Sequence, residues 1–171
     1  MKRFDIITGD ITQSNAEAIV NAANTTLLGG SGVDGAIHRA AGRELYQACR
    51  LLGGCETGKA KITPGFRLNA RYVIHTPGPV WRGGNFGEAL LLASCYRSCL
   101  ELAVSHNIQT VDFPAISTGV YGYPLPQAAA VAIRTILSFL AEHDLPKQVR
   151  IVCHTDAAAT VHQQVLADMT T

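Results

Sequence analysis

At 171 residues with 47 % hydrophobic content, the chain is long enough to bury a proper core, and a single domain over 1–171 is expected. The formal net charge is +1 with the basic residues scattered, which argues against a nucleic-acid stripe and a polybasic membrane patch. Five cysteines without CxxC spacing, set mostly in apolar segments, exclude a disulfide framework and fit reduced thiols in a cytoplasmic protein.

In chain order, MKRFDIITGD carries basic residues but neither a long apolar region nor a small-residue cleavage site, so no export signal is expected. No apolar run reads as the roughly 20 residues of a membrane helix. Phe4 to Thr8 reads as a strand ending at Gly9, where Asp10 or Thr12 can cap a short helical turn. Glu17 to Ala22 is a second strand, and NAANTTLLGGSGVDGAIHRAA (Asn21 to Ala41) follows from its end into a helix opening near Val33. The spacing predicts that this helix continues past Gly42 through Leu45, Cys49 and Leu52, with Gly53-Gly54 as its stop. Ala60 to Thr63 and Tyr72 to Thr76 read as strands, Trp81 to Asn85 as a loop, and Glu88 to His106 as a long helix. Thr110 to Ile116 is a strand, followed by a second glycine-containing loop, Ser117 to Pro124, and a helix over Gln127 to His143. Val149 to Cys153 is the last strand, and Asp156 is expected to cap a closing helix.

Alternating strands and helices imply an α/β fold, a largely parallel sheet with helices on both faces. Ligands in such folds bind beyond the carboxyl ends of the strands, and both glycine loops leave such ends. The first loop joins glycines, a helix start, Asp34 and His38, and these last two are four residues apart on one helix face. Together the two loops suit a diphosphate, with the Asn24 amide placed to orient sugar hydroxyls or, more plainly, to pair with backbone at a strand end. Asp34 can orient or deprotonate a water, or merely complement the helix dipole. His38 can be a catalyst or a packed histidine, and Tyr121 and Tyr123 can be core aromatics or lie against a sugar. Asp10 can cap a turn and also accept from the exocyclic amine of a base. No GxGxxG with its acidic partner and no GxxxxGK[ST] is present, so neither a Rossmann site nor a P-loop is expected. Cys95 and Cys99 can share a helix face, but no second ligand pair has metal-site spacing, and no metal or cofactor is expected.

At Gly9-Asp10-Ile11-Thr12, NAANTTLLGGSGVDGAIHRAAG, VIHTPGPVW (Val73 to Trp81) and PAISTGVYGYP (Pro114 to Pro124), the sequence resembles the macrodomain family. Within it the likeness is to the MacroD-type branch of ADP-ribose-binding hydrolases. That resemblance implies a three-layer α/β/α sandwich with a mixed, largely parallel central sheet and ADP-ribose in the crevice. Carried over, Asp10 accepts from the adenine amino group beside the Ile11 backbone, and the N–H groups of Gly32, Val33 and Asp34 hold one phosphate. Ser117, Thr118, Gly119, Val120 and Tyr121 wrap the diphosphate, with Tyr121 against the distal ribose. Asn24 fixes the distal ribose hydroxyls, Asp34 is the general base or water-orienting group, and His38 supports that corner.

Two positions depart from the branch. Ser31 stands where it has another glycine, and His154 stands where relatives carry an aromatic that stacks on adenine. The zinc-containing branch, with its cysteine and histidine insertion, does not fit. The resemblance implies removal of ADP-ribose from acidic side chains, deacetylation of O-acetyl-ADP-ribose, or both, by a monomer with ADP-ribosylated proteins or O-acetyl-ADP-ribose as partners. The alternatives are a reader module that binds ADP-ribose without cleaving it, and a regulatory domain that contacts another protein or RNA.

Overall fold

The computed structural model describes residues 2–171. Six strands form one sheet: β1 (Phe4–Thr8), β2 (Ala18–Ala23), β3 (Lys61–Pro64), β4 (Tyr72–Pro77), β5 (Thr110–Phe113) and β6 (Gln148–Cys153). Their spatial order is β1-β6-β5-β2-β4-β3, and every neighbouring pair is parallel except β3 with β4. Five strands therefore point their carboxyl ends to the same side, and the antiparallel β3 closes one edge.

Alternation along the strands sorts the core into two layers. Phe4, Ile6, Val20, Ile74, Val111 and Ile151 pack on one face beneath α3 (Glu88–Ser105), α4 (Leu125–Glu142) and α5 (Asp156–Thr170). Ile19 and Val73 turn to the other face beneath α1 (Gly32–Ala41) and α2 (Arg43–Leu52), against Ile37, Leu45 and Cys49. This is the expected α/β/α sandwich with a mixed sheet. By length and composition alone α4 could pass for a membrane span, contrary to the sequence reading. Ala129, Ile133, Ile136 and Phe139 of α4 are instead buried against the sheet.

Three local expectations are corrected. The helix predicted to run from Val33 to Leu52 is two helices, broken at Gly42, which adopts φ 91° and ψ 178°. Only glycine takes that backbone without strain, and the Arg67 side chain lies across it, its Cδ 3.2 Å from where a Cβ would stand. The closing helix is capped by Thr155, whose hydroxyl accepts from Ala158 N–H at 3.1 Å, and not by Asp156. β5 ends at Phe113 and not at Ile116, because Pro114 has no N–H with which to continue the ladder.

Candidate functional site

The carboxyl ends of β1, β6, β5, β2 and β4 lie side by side, so the segments leaving them form a row in that order. At one end, the Gly9 N–H donates to the Cys153 carbonyl at 2.9 Å, joining the exits of β1 and β6. Asp10 follows and caps a single 3-10 turn, Ile11–Gln13, which buries Ile11. Its Oδ1 accepts from the Thr12 hydroxyl at 2.6 Å and the Thr12 N–H at 3.0 Å. Those bonds, the hydroxyl first, hold its carboxyl below the ordinary value, with a smaller push from the His154 imidazole leaving β6. Oδ2 takes no part in the cap. Both Asp10 and His154 are exposed.

At the exit of β2, Asn24 organises its own loop. Its Oδ1 accepts from Thr26 N–H (3.2 Å), the Thr26 hydroxyl (2.6 Å) and Leu27 N–H (3.1 Å), and its Nδ2 donates to the Gly29 carbonyl at 2.9 Å. The plain reading of Asn24, pairing with backbone, therefore holds for its oxygen and for one hydrogen of its nitrogen. An amide nitrogen has two hydrogens, so one N–H remains for a ligand. Gly29 and Gly30 then cross in front of α1. A Cβ on Gly30 would stand 3.1 Å from Asp34 Oδ2 and 3.5 Å from Asn24 Nδ2, and one on Gly29 would stand 3.7 Å from the His38 ring. Asn24, Asp34 and His38 thus meet around these two glycines. Gly35 packs on the Gly30 carbonyl more closely than any Cβ permits, which seats the loop on the helix.

Ser31 is the N-cap of α1, but its side chain makes no capping bond. The first N–H groups of the helix, from Gly32 through Asp34, have no partners within it and carry a positive partial charge. Asp34 sits just inside, 5 % exposed. Its Oδ1 accepts from Asn21 Nδ2 at 2.9 Å. Burial raises its carboxyl above the ordinary value, against the opposing pull of the Asn21 hydrogen bond and of His38. His38 Nε2 lies 3.6 Å from Asp34 Oδ1, beyond a true hydrogen bond, and is buried without a partner.

Between these ends lies the exit of β5. Ser117 adopts a left-handed backbone with φ 69°, and its Oγ is buried without a partner. The Tyr123 N–H donates to the Ser117 carbonyl at 2.9 Å, and Gly122 N–H to Gly119 at 3.0 Å, so residues 117–123 form a closed turn that leaves Gly119 and Val120 exposed. Tyr121 is half-exposed, whereas Tyr123 is a core residue packed on Trp81 with ring centroids 4.6 Å apart. Gly78 makes room for this turn, since a Cβ there would collide with Ser117 Oγ and Ile116 Cγ2.

Several contributors were not expected from the sequence. Asn21 and His75 lie opposite each other in the β2–β4 register, and Asn21 Nδ2 is 3.2 Å from His75 Nδ1. Glu88 reads as a helix start, yet its carboxylate accepts from the N–H groups of Arg82 (2.9 Å), Gly84 (3.0 Å) and Phe86 (2.7 Å). Burial works against that charge, but the three backbone donors outweigh it and bring the carboxyl down to about 2. The segment 81–85 is therefore a fixed wall, and its Trp81 N–H donates to the Tyr121 carbonyl at 2.9 Å. A hollow of about 820 Å³ beside Thr25, Cys55 and Glu56 lies to one side, and its Lys61 ammonium already donates to the Leu52 and Gly54 carbonyls.

A family model described as Macro domain matches residues 20–132. The chain belongs to the Macro domain family. It is 60 % identical to a macro domain-containing protein of Chlorobaculum tepidum, with 94 % of each chain covered. It is 54 % identical to a protein of Salmonella typhimurium named O-acetyl-ADP-ribose deacetylase, covering 96 % of this chain and 94 % of that one. Among solved structures, a mutant of the Oceanobacillus iheyensis macrodomain with ADPR superposes with a TM-score of 0.93 at 45 % identity, covering 96 % of this chain and 92 % of that one. The Trypanosoma brucei macrodomain in complex with ADP-ribose superposes with a TM-score of 0.90 at 40 % identity, covering 96 % and 69 %. In this macrodomain, the segments that resemble the family's ligand loops are those that converge on the strand ends.

Proposed function

We propose that this macrodomain binds ADP-ribose stretched along the row of strand ends and hydrolyses esters carried on its distal ribose. The adenine lies at the Asp10 and His154 end, where Asp10 Oδ2 accepts from the exocyclic amine. The diphosphate lies between the start of α1 and the 117–121 turn, where unpaired backbone N–H groups face it. The distal ribose lies at Asn24, Asp34 and His38, with Tyr121 against it. O-Acetyl-ADP-ribose is the proposed small substrate, in keeping with the name of the Salmonella typhimurium relative. Glutamate- and aspartate-linked ADP-ribose on proteins is the proposed second substrate, because its ester is presented by the same sugar. The five free, buried thiols suit the cytoplasm as the place of action.

The observation that carries this reading is the state of Asp34. It is a buried carboxylate with Oδ1 held by Asn21 and Oδ2 beside Gly30, at the end of the row where the sugar belongs. Burial raises its proton affinity toward the range useful for a base at neutral pH. A water beside Oδ2 gives its proton to Asp34 as its oxygen bonds to the ester carbonyl carbon. The carbon–oxygen bond to the ribose then breaks, and the ribose oxygen takes a proton, leaving ADP-ribose and a free acid.

The test is release of acetate from O-acetyl-ADP-ribose, and of ADP-ribose from a glutamate-modified protein, by the parent and Asp34→Ala, with ADP-ribose binding followed by calorimetry. Release by the parent alone, with similar binding by both, supports the hydrolase. Binding by both with release by neither moves the domain to the reader class.

A further inference from the structure

The polar chain behind Asp34 runs away from the cleft, through the layer between the sheet and α1–α2. Asn21 Nδ2 stands between two acceptors, Asp34 Oδ1 at 2.9 Å and His75 Nδ1 at 3.2 Å. Thr63 Oγ1 lies 3.0 Å from His75 Nε2 on the far side. Asn21 and His75 are fully buried. Apolar residues at these positions would fill the layer but would strip Asp34 Oδ1 of its donor and Thr63 Oγ1 of its partner. Asn21 instead leaves its Oδ1 buried with no partner, an arrangement that costs stability.

The orientation of the amide explains why the orphan is tolerated. Turned over, Asn21 would set its carbonyl oxygen against the Asp34 carboxylate, a repulsive contact. An NH2 group pointing at His75 Nδ1 requires a bare lone pair there, so the single ring proton sits on Nε2 and faces Thr63 Oγ1. We infer that His75, as the neutral Nε2–H tautomer, is a positioning residue: it locks the Asn21 amide, which in turn holds Asp34 by Oδ1 and leaves Oδ2 toward Gly30.

The groups around His75 agree with this assignment. Burial, with a smaller contribution from His38, brings its pKa down to about 3, so it stays neutral wherever the protein is folded near neutrality. From α2, Cys49 Sγ lies 3.7 Å from Nε2, and burial raises that thiol to about 11, with Asp34 adding to the effect. From α1, the His38 ring lies 6.5 Å away between centroids, and Asp34 is reached only through Asn21. What His75 supplies is an acceptor and not a charge. A role in turnover follows only if Asp34 activates water as proposed above, whereas the tautomer and the titration of Asp34 do not depend on that reading.

The experiment compares the parent with His75→Leu, which removes the acceptor, and His75→Asn, which puts a carbonyl oxygen near the place of Nδ1. With O-acetyl-ADP-ribose, H75L is expected to lower kcat about tenfold, inside the ~10²–10⁴ that a positioned base is worth. Its KM and its ADP-ribose Kd should stay within about threefold, the mark of a group acting on chemistry and not on binding. The acid limb of its kcat profile should move to higher pH, and H75N should recover most of the loss. Nitrogen-15 spectra of the parent's histidines should show His75 protonated on Nε2 alone and not titrating between about pH 5 and 8. A proton on Nδ1, titration in that range, equal slowing by both variants, or loss of binding in step with kcat would overturn the inference. Should H75L fail to fold, H75N and the parent's tautomer still decide it. If the parent leaves O-acetyl-ADP-ribose intact, the hydrolase reading falls and the carbon-13 titration of the Asp34 carboxyl decides. A midpoint higher in H75L than in the parent, restored in H75N, supports the inference, and one midpoint for all three overturns it.

Discussion

Two aspartates stand along the same row of strand ends, Asp10 after β1 and Asp34 after β2 on the far side of β5, and their surroundings drive them in opposite directions. Asp10 is exposed and tied to the Thr12 hydroxyl and N–H, so its carboxyl is held in the charged form. Asp34 is buried with one amide donor and an unpaired imidazole nitrogen 3.6 Å away, and burial wins over both. Each follows a strand, and each sits at the start of a helical turn. What separates them is the ratio of donors to water removed. Glu88 makes the point a third way, because its carboxylate receives backbone N–H bonds from Arg82, Gly84 and Phe86 and falls to about 2. Burial alone does not tune a carboxylate; burial with too few donors does.

The strongest way to break the contrast is to remove the tuned group. Asp34→Ala is expected to lower the turnover of O-acetyl-ADP-ribose by ~10²–10⁴ while ADP-ribose affinity stays nearly constant. Loss of binding in proportion, measured by calorimetry, would make Asp34 a ligand contact and nothing more. After β1, Asp10→Ala should do the reverse. Losing one charge-assisted hydrogen bond to the adenine amine should weaken ADP-ribose on the order of tenfold and leave kcat in place. A smaller effect is expected beside it, where His154→Tyr offers a wider ring for stacking and should tighten ADP-ribose by about two- to fivefold. Unchanged affinity in that variant would place the base away from the exit of β6.

Much of this contrast could be read from the sequence, and the unread part has a definite physical origin. The six strands, both glycine loops and the Asp34/His38 pair on one helix face were legible because they depend on local spacing. The break at Gly42 was not, because Ile37, Ala41, Leu45 and Cys49 are buried at intervals of four straight through it, so the apolar stripe has no gap. Asn21 and His75 lie in segments that resemble the family, but the sequence suggests no role for either. A polar residue inside an apolar strand is a visible signal, but only the β2–β4 register places one beside the other. The resemblance assigns Asn24 to the sugar, and all four hydrogen bonds of its side chain serve its own loop. Glu88 does open α3 as the spacing predicts, but nothing local says that its carboxylate faces back to the three N–H groups before it.

The smallest expected effect bears most directly on why the two aspartates differ. A carboxyl whose folded-state value lies above the unfolded one binds more protons when folded, so its contribution to stability falls as pH rises from about 3.8 through the folded value. Above that window Asp34 is a net burden on the fold. Asp10 is the opposite case: its contribution is present above about 3.8 and disappears as pH falls through its lowered folded value. Asp34→Asn keeps the volume and an acceptor for Asn21 but removes the charge. It should therefore inactivate the domain and raise its stability at pH 7 by up to ~1 kcal/mol, about 2–4 °C in Tm for a chain of this size. Near pH 3 the parent's carboxyl is protonated and the difference should close. Asp10→Ala should instead cost ~0.5–1 kcal/mol at pH 7, the loss of an exposed cap. Thermal melts of the three proteins at both pH values give the signs directly. A destabilised Asp34→Asn at pH 7 would mean that the Asn21 bond and His38 outweigh burial, and that the carboxylate poised beside Gly30 is held for structure and not for chemistry.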